Sequence, residues 1–391
     1  MKRARLGDIT ELKAGIGFPL KFQGNKTGTY PFAKVGDISR AGRSGSKYLG
    51  AADHYVNEDA LPALKGTLVP PGSTLFAKIG EAIRHEHRVI SARPMLIDNN
   101  AMAACPRSEV DAEYLYRFLQ TQRFYALASS TTVPSIRKSV LAEVLVPLPA
   151  IEEQRRIAAI LDKADELRAK RRQAIAHLDA LTQSIFHVAE SLANKSARTK
   201  LSNVCSQIQT GPFGSLLHKE DYIDGGIPLV NPMHIRDGKV AADTSFSVTE
   251  SKFSELKNYR LLPGDIVLGR RGELGRCAEV LESDGPLLCG TGSLIVRPSR
   301  QSVSPTYLSA ILSSKSTRRR LEEVAQGATM LNLNTKIVGN LDIALPPLEL
   351  QQAFATRVAA VERLKETHRK HLAELDALFA SLQSRAFKGE L

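Results

Sequence analysis

The stretch Leu148-Pro149-Ala150-Ile151-Glu152-Glu153-Gln154 occurs again as Leu345-Pro346-Pro347-Leu348-Glu349-Leu350-Gln351, and this recurrence decides the fold. Further on, Leu178-Asp179-Ala180-Leu181 returns as Leu375-Asp376-Ala377-Leu378 at the same offset of 197 residues, half of the 391-residue chain. Either match alone is short enough for chance, but two in one register indicate a duplication. Looser echoes lie upstream of each. Tyr30-Pro31-Phe32 parallels Ile227-Pro228-Leu229, and Pro71-Gly72-Ser73-Thr74-Leu75 parallels Pro263-Gly264-Asp265-Ile266-Val267. Pro106 with Tyr114-Leu115 parallels Pro298 with Tyr307-Leu308. Each half therefore reads as a variable mixed α/β domain followed by a better matched helix. The boundaries are 1–149 and 197–346 for the domains, and 150–196 and 347–391 for the helices.

The helices carry a heptad seam. Alternating steps of three and four visit Ile157, Ile160, Ala164, Leu167, Arg171, Ala174, Leu178, Leu181, Ile185, Val188 and Leu192, all apolar except Arg171. Proline just before the run and Glu152-Glu153 in the first turn suit a helix start. About 40 residues at 1.5 Å each make a rod of roughly 60 Å. The phase carried forward by 197 visits Phe354, Arg357, Val361, Leu364, His368, His371, Leu375, Leu378, Leu382 and Arg385, a weaker seam. Arg171 and His368 fall at equivalent positions. Either they fix register, or, more simply, both point partly to solvent. Long helices that each bury one stripe need one another, and the expectation is an antiparallel pair relating the halves by an approximate two-fold axis.

Lys+Arg 53 against Asp+Glu 41 leaves a formal charge of +12. It is unevenly placed: 20 basic against 13 acidic residues in 1–149 and 18 against 15 in 197–346, whereas each helical stretch carries only +1. The excess sits where phosphates would be met, leaving the helices for protein contacts. Cys105, Cys205, Cys277 and Cys289 show neither Cys-x-x-Cys spacing nor a paired framework. With no apolar run of membrane or signal-peptide length, this points to a reducing cytoplasm without disulfides, structural zinc or membrane contact.

Between the helices the pattern turns to short β-rich runs punctuated by Gly and Pro. In both halves a Pro-Gly turn launches an apolar strand that ends in basic residues and glycine: Lys78-Ile79-Gly80 in the first, Arg270-Arg271-Gly272 in the second. A cation at a strand end beside glycine suits contact with a phosphate or base edge; Arg276 belongs to the same loop. A second candidate segment precedes each helix. It is Ser130-Thr131-Thr132-Val133-Pro134-Ser135-Ile136-Arg137-Lys138 in the first half. In the second it is Gly327-Ala328-Thr329-Met330-Leu331-Asn332-Leu333-Asn334-Thr335-Lys336. Asn pairs well with adenine and Lys with phosphate, although Asn332 and Asn334 equally suit turns that satisfy local backbone groups. Arg84-His85-Glu86-His87-Arg88 invites a metal reading, but no further ligands follow at suitable spacing, so Arg84, His87 and Arg88 read better as a basic surface loop.

No catalytic constellation stands beside these. Both Gly-x-x-x-x-Gly-Lys-Ser/Thr and Gly-x-Gly-x-x-Gly are absent. Asn231-Pro232-Met233-His234 lacks the second proline and the aromatic of an amino-methyltransferase motif. Asp265 and Glu273 lack the following x-Lys of a nuclease site.

Two variable halves, each ending in a Leu-Pro-x-φ-Glu-x-Gln helix start (φ apolar), resemble the specificity subunits of type I restriction–modification systems. Pro263-Gly264-Asp265 matches that family's Pro-Gly-Asp strand entry, from which Ser73 departs. Arg385-Ala386-Phe387-Lys388-Gly389-Glu390-Leu391 is similar to its usual ending. The resemblance covers the whole chain. It implies an α+β fold: two similar mixed α/β target recognition domains separated by two long antiparallel coiled-coil helices, with a pseudo-two-fold internal repeat. It also implies a non-catalytic subunit that reads a bipartite sequence in double-stranded DNA, with the helices as a ruler. Modification subunits would supply S-adenosylmethionine and adenine-N6 methylation; restriction subunits would supply ATP-driven translocation. No cofactor is expected on this chain. The rival readings are a stand-alone methyltransferase or nuclease, and a coiled-coil adaptor for nucleic acid.

Overall fold

The two repeated segments start the longest helices, Ile151–Ala193 and Leu348–Lys388. The structure, a computed structural model, describes residues 2–129, 132–193, 198–325 and 332–391. It divides into one unit of Met1–Ala174 with His368–Leu391 and another of Ile175–Thr367. Each unit thus combines one globular head with part of both long helices.

The heads are built alike. In the first, a sheet runs in the order Thr10–Ala14, Ala101–Pro106, Thr74–Ala77, Arg88–Ser91, Tyr48–Leu49. Its pairs are antiparallel except the last. In the second, Cys205–Thr210, Ser293–Pro298, Ile266–Gly269 and Cys277–Glu279 follow the same order, all antiparallel. The Pro-Gly strand lies inside the sheet in both, with every residue buried, which is why it reads as an unbroken apolar run. A smaller mixed sheet carries Tyr30–Ala33 in one head and Ile227–Val230 in the other. Each head is closed by a two-stranded ribbon: Arg3–Arg5 with Leu145–Pro147, and Arg198–Lys200 with Asp342–Ala344. The chain therefore leaves each head beside the point where it entered and runs straight into a long helix.

The repeated glutamine has a mechanical purpose. Gln154 is fully buried; its Oε1 accepts the Asp111 amide at 2.9 Å, and its Nε2 donates to the carbonyls of Glu109 (3.0 Å) and Pro149 (2.9 Å). Gln351 does the same in its unit, accepting the Ser304 amide at 2.9 Å and donating to Pro346 at 2.8 Å. A buried amide with all its partners supplied pins helix to head at one fixed point. Tyr114 and Tyr307, also fully buried, stand beside these joints.

The Pro-Gly entry explains its own variation. Asp265 is buried, accepts the Leu262 amide at 2.7 Å and accepts from Arg297 Nε and Nη2 at 2.7 Å each. Strand pairing places Ser73 where Asp265 is and Cys105 where Arg297 is. The first head lacks both charges; its Ser73 Oγ donates instead to the Pro70 carbonyl at 2.8 Å.

The helices run antiparallel within each unit. Arg168 meets Asp376 at 2.6 Å in the first, and Lys365 meets Asp179 at 2.7 Å in the second. The four residues are equivalent across the repeat, so each helix offers a cation at the same position, arginine on one and lysine on the other, to the equivalent aspartate of its partner helix. Each cation also holds the acid three residues back on its own helix, Asp165 or Glu362. The seam itself differs from the expected one. Ile157 is buried and Ile160, Leu178, Ile185, Leu375 and Leu382 are half-buried, but Leu167, Leu181, Val188, Leu364 and Leu378 are exposed. The inward line passes one residue later: Leu161 and Arg168 on one helix, Val358, Lys365, Leu372 and Phe379 on the other. The alternative fits because Arg168 lies flat over the Phe379 ring at 4.3 Å while bonding Asp376, so an arginine stem packs where a leucine was expected. Arg357, His371 and Arg385, the polar breaks in the expected seam, are outside it. Arg171 and His368 are half-buried, so each is partly open to solvent as the simpler reading expects, and they are bonded to each other, Nη1 to Nδ1 at 2.7 Å. The side chain of Leu192 lies outside the described residues.

Candidate nucleic-acid interface

Two segments that are distant in sequence meet at one end of each central sheet. In the first head the Ile136 amide donates to the Lys78 carbonyl at 2.8 Å, and Ile79 bridges Ser135. In the second, the Leu333 amide donates to the Arg270 carbonyl at 3.0 Å, and Arg271 bridges Asn332. The strand-end cation and the loop before the long helix are thus joined by the same backbone bridge in both copies. Ser130, Thr131 and residues 327–331 of those loops lie outside the described residues.

The gathered side chains differ in availability. Arg137 and Lys138 are exposed at the start of helix Lys138–Ala142, with Lys78 and Ser135 half-buried beside them. Arg271 and Lys336 are exposed in the second head. Arg270 is buried behind them, its Nε donating to Asn332 Oδ1 at 3.0 Å. Burial, and then the neighbouring Arg271 charge, push its pKa below the usual arginine value. Asn334 is spent on the backbone: its Oδ1 caps helix Thr335–Gly339 by accepting the Ile337 amide at 2.8 Å, so the turn-forming alternative holds there. Arg276 is ion-paired with Glu273.

The Arg84–Arg88 loop is mostly structural. Arg88 is 5% exposed, bonds the Glu86 carboxylate (2.7 Å) and the Gln122 carbonyl (2.6 Å), and lies over Phe124 at 4.1 Å. It is packing, not a free contact for DNA. Glu86 accepts the amides of Phe124 and Tyr125, which leaves its carboxylate little to offer a metal. Arg84 stacks on Tyr125 and pairs with Glu81, yet its edge reaches solvent. His87 is held below the usual histidine pKa by burial and by His85, Arg43 and Arg88. Among the described residues no group of three or more His, Cys, Asp or Glu could hold a metal ion, and no helix is long and apolar enough to cross a membrane.

Sequence reasoning missed a third contributor to this sheet end. The loop after the first strand springs from Gly15, whose amide donates to Ala101 O, one residue from Asn100, which accepts the Lys78 amide. Gly211 donates to Ser293 O beside Gly292, which accepts from Arg270. A Cβ on Gly15 would lie 1.8 Å from Asp98 O, and one on Gly211 2.0 Å from Gly290 O, so neither root tolerates a side chain. The recurrence of glycine at equivalent places was the visible signal.

A family model described as the type I restriction modification DNA specificity domain matches residues 1–177 and again 200–377. The MjaVIII specificity subunit of Methanocaldococcus jannaschii is 22% identical over 307 residues, 72% of this chain and 71% of that one. The EcoBI specificity subunit of Escherichia coli is 24% identical over 297 residues, 68% of this chain and 62% of the relative. A solved type I restriction–modification S subunit from M. genitalium has the same fold, with TM-score 0.60 and 17% identity over 99% of this chain and 96% of that one.

Proposed function

Because this chain belongs to the type I restriction–modification DNA specificity family, we propose that each head reads one half of a bipartite duplex target. The single observation carrying this is the twofold joining of a strand-end cation to the loop before the long helix, Lys78 with Ser135–Lys138 and Arg270-Arg271 with Asn332. Exposed Arg137, Lys138, Arg271 and Lys336 supply phosphate attraction, and Asn332, oriented by Arg270, supplies base-edge capacity.

In the same reading the long helices dock the modification subunits. Leu167, Leu181, Leu364 and Leu378, exposed away from the inner seam, are the natural anchors, since rows of exposed leucine on a helix call for a partner. Those subunits bring S-adenosylmethionine and the adenine-N6 methyl transfer; restriction subunits with ATP complete the assembly, in the cytoplasm. Two readers on one spacer bind multivalently, so both half-sites must lie at one separation.

The test is reconstitution with modification subunits, followed by mapping of methylated adenines. A bipartite site with a fixed gap is expected. Deleting seven residues from each helix, which preserves heptad phase, shortens that gap. An unchanged gap, or methylation without sequence preference, refutes the reading. S-adenosylmethionine binding by the isolated chain would favour a stand-alone methyltransferase.

A further inference from the structure

The loops rooted at Gly15 and Gly211 present large apolar side chains to water. Leu20 is 84% exposed and Phe213 59% exposed; Leu216, five residues past Gly211 as Leu20 is past Gly15, is exposed too. A single exposed leucine needs no explanation. What needs one is recurrence on loops rooted at the same sheet end in both heads.

These loops are braced, not loose. In the first head Phe18 stacks on buried Phe32 with ring centroids 3.6 Å apart, and Gln23 Nε2 donates back to Phe18 O at 2.7 Å. That leaves Leu20 pointing outward at the start of the short turn Leu20–Phe22. In the second head Leu217 is buried against Leu229 and Leu288, and Asp221 accepts the His218 amide at 2.7 Å. Phe213 precedes the short turn Gly214–Leu216 and Leu216 ends it, both exposed. Each loop packs one apolar residue against its head, half-buried Phe18 or buried Leu217, and holds others out to solvent. Lys21 follows the first tip directly, whereas in the second loop Lys219 is followed by Glu220 and Asp221.

We propose that these tips are apolar wedges that enter the base stack of the duplex, Leu20 in the first half-site and Phe213 with Leu216 in the second. This rests on the heads being DNA readers. An apolar side chain inserted between base steps unstacks them and bends the duplex, a cost offset by the extra surface the bend brings into contact. In the first half-site Lys21 would hold a neighbouring phosphate, and the backbone bonds at Gly15 and Gly211 fix the roots of the two loops at the sheet end. In the first head Lys21 and Lys26 give the tip surroundings that suit a phosphate backbone better than a protein partner.

The test uses the full chain assembled with modification subunits and duplexes bearing the mapped target, with 2-aminopurine placed at successive positions of each half-site. Fluorescence should rise at one step per half-site, besides the adenine that the modification subunits flip out for methylation, when the wild-type complex binds. F213A with L216A should abolish the rise in the half-site of the second head and weaken target binding by about tenfold or more. L20A should act only on the other half-site. Affinity for non-target duplex and assembly with modification subunits should not change. Unaltered fluorescence and affinity in both variants would overturn the proposal; so would variants that lose the modification subunits, which would make the tips a protein-docking surface. A wild-type complex that selects no target at all would instead overturn the DNA-reading function, and the wedges with it.

Discussion

Exchanging the buried ion pair of the second head for the pair present in the first is the sharpest perturbation available. Asp265→Ser removes a buried carboxylate that holds Arg297 through two 2.7 Å bonds and the Leu262 amide through a third. It strands a guanidinium that is roughly a quarter exposed, with only Gln207 Oε1 (2.6 Å) and the Arg260 carbonyl (3.2 Å) left to accept from it. Breaking a buried pair from one side costs about 3–5 kcal/mol, tempered here by that partial exposure. Arg297→Cys strands the carboxylate instead, at 2% exposure, and should cost at least as much. The double substitution installs Ser and Cys, the residues that the first head uses at the equivalent positions 73 and 105. It removes both charges at once and should cost only about 1–2 kcal/mol, so the cycle should show about 2 kcal/mol or more of coupling. Urea denaturation of the full chain, followed through the transition assigned to the second unit, measures all three variants. At about 2–4 °C per kcal/mol for a unit of this size, thermal scans should agree. Additive losses would refute the view that Asp265–Arg297 and Ser73–Cys105 are alternative solutions at one site.

Gln154→Ala should destabilise its unit by about 2–4 kcal/mol, because three buried bonds to Asp111, Glu109 and Pro149 are lost; Gln351→Ala, losing two, should cost less in its own unit by the same denaturation assay. H368R places two guanidiniums against each other across the helix pair and should cost about 1–2 kcal/mol. Adding R171H should recover most of it by restoring one Arg–His bond in reverse; no recovery would mean the pair does not hold the register. Arg271→Ala should weaken target binding about tenfold and relax preference at one half-site only, read by selection from randomised duplexes; equal loss at both half-sites would count against separate readers. His87, whose pKa is depressed chiefly by burial, binds protons more readily unfolded than folded. Its stabilisation is complete above the unfolded pKa of about 6.5 and is lost as pH falls below it. Acid destabilisation of the first unit should therefore be shallower in H87N, and identical titrations would exclude this histidine as a source.

Much of the candidate site was legible before any coordinates. The strand-end cations and the pre-helix loops were both visible as recurring patterns, because a duplicated fold repeats its necessities at one offset. That they touch was not legible. Lys78 and Ile136, or Arg270 and Leu333, are joined by a backbone bond across some sixty residues, and no side-chain pattern records such a bond. Roles within the loops also escaped: Asn334 and Arg88 carry the residue types of DNA contacts, but one caps a helix and the other is sealed beneath Phe124 and Gln122.

The seam shows the division most clearly. Heptad spacing identified two long helices, their length and their antiparallel need for each other, since periodicity is a property of the chain alone. It could not choose between Leu167 and Arg168, or Leu364 and Lys365, because both neighbours border the same stripe and the apolar count favours the leucines. The choice fell to the opposite helix, where Asp376 and Phe379 reward an arginine and Asp179 rewards a lysine. Composition and spacing by themselves determined the duplication, the element types and the basic heads. Only tertiary contact, which sets each polar group against a specific partner, decided which face of each helix turns inward and which cations remain free to meet an anion.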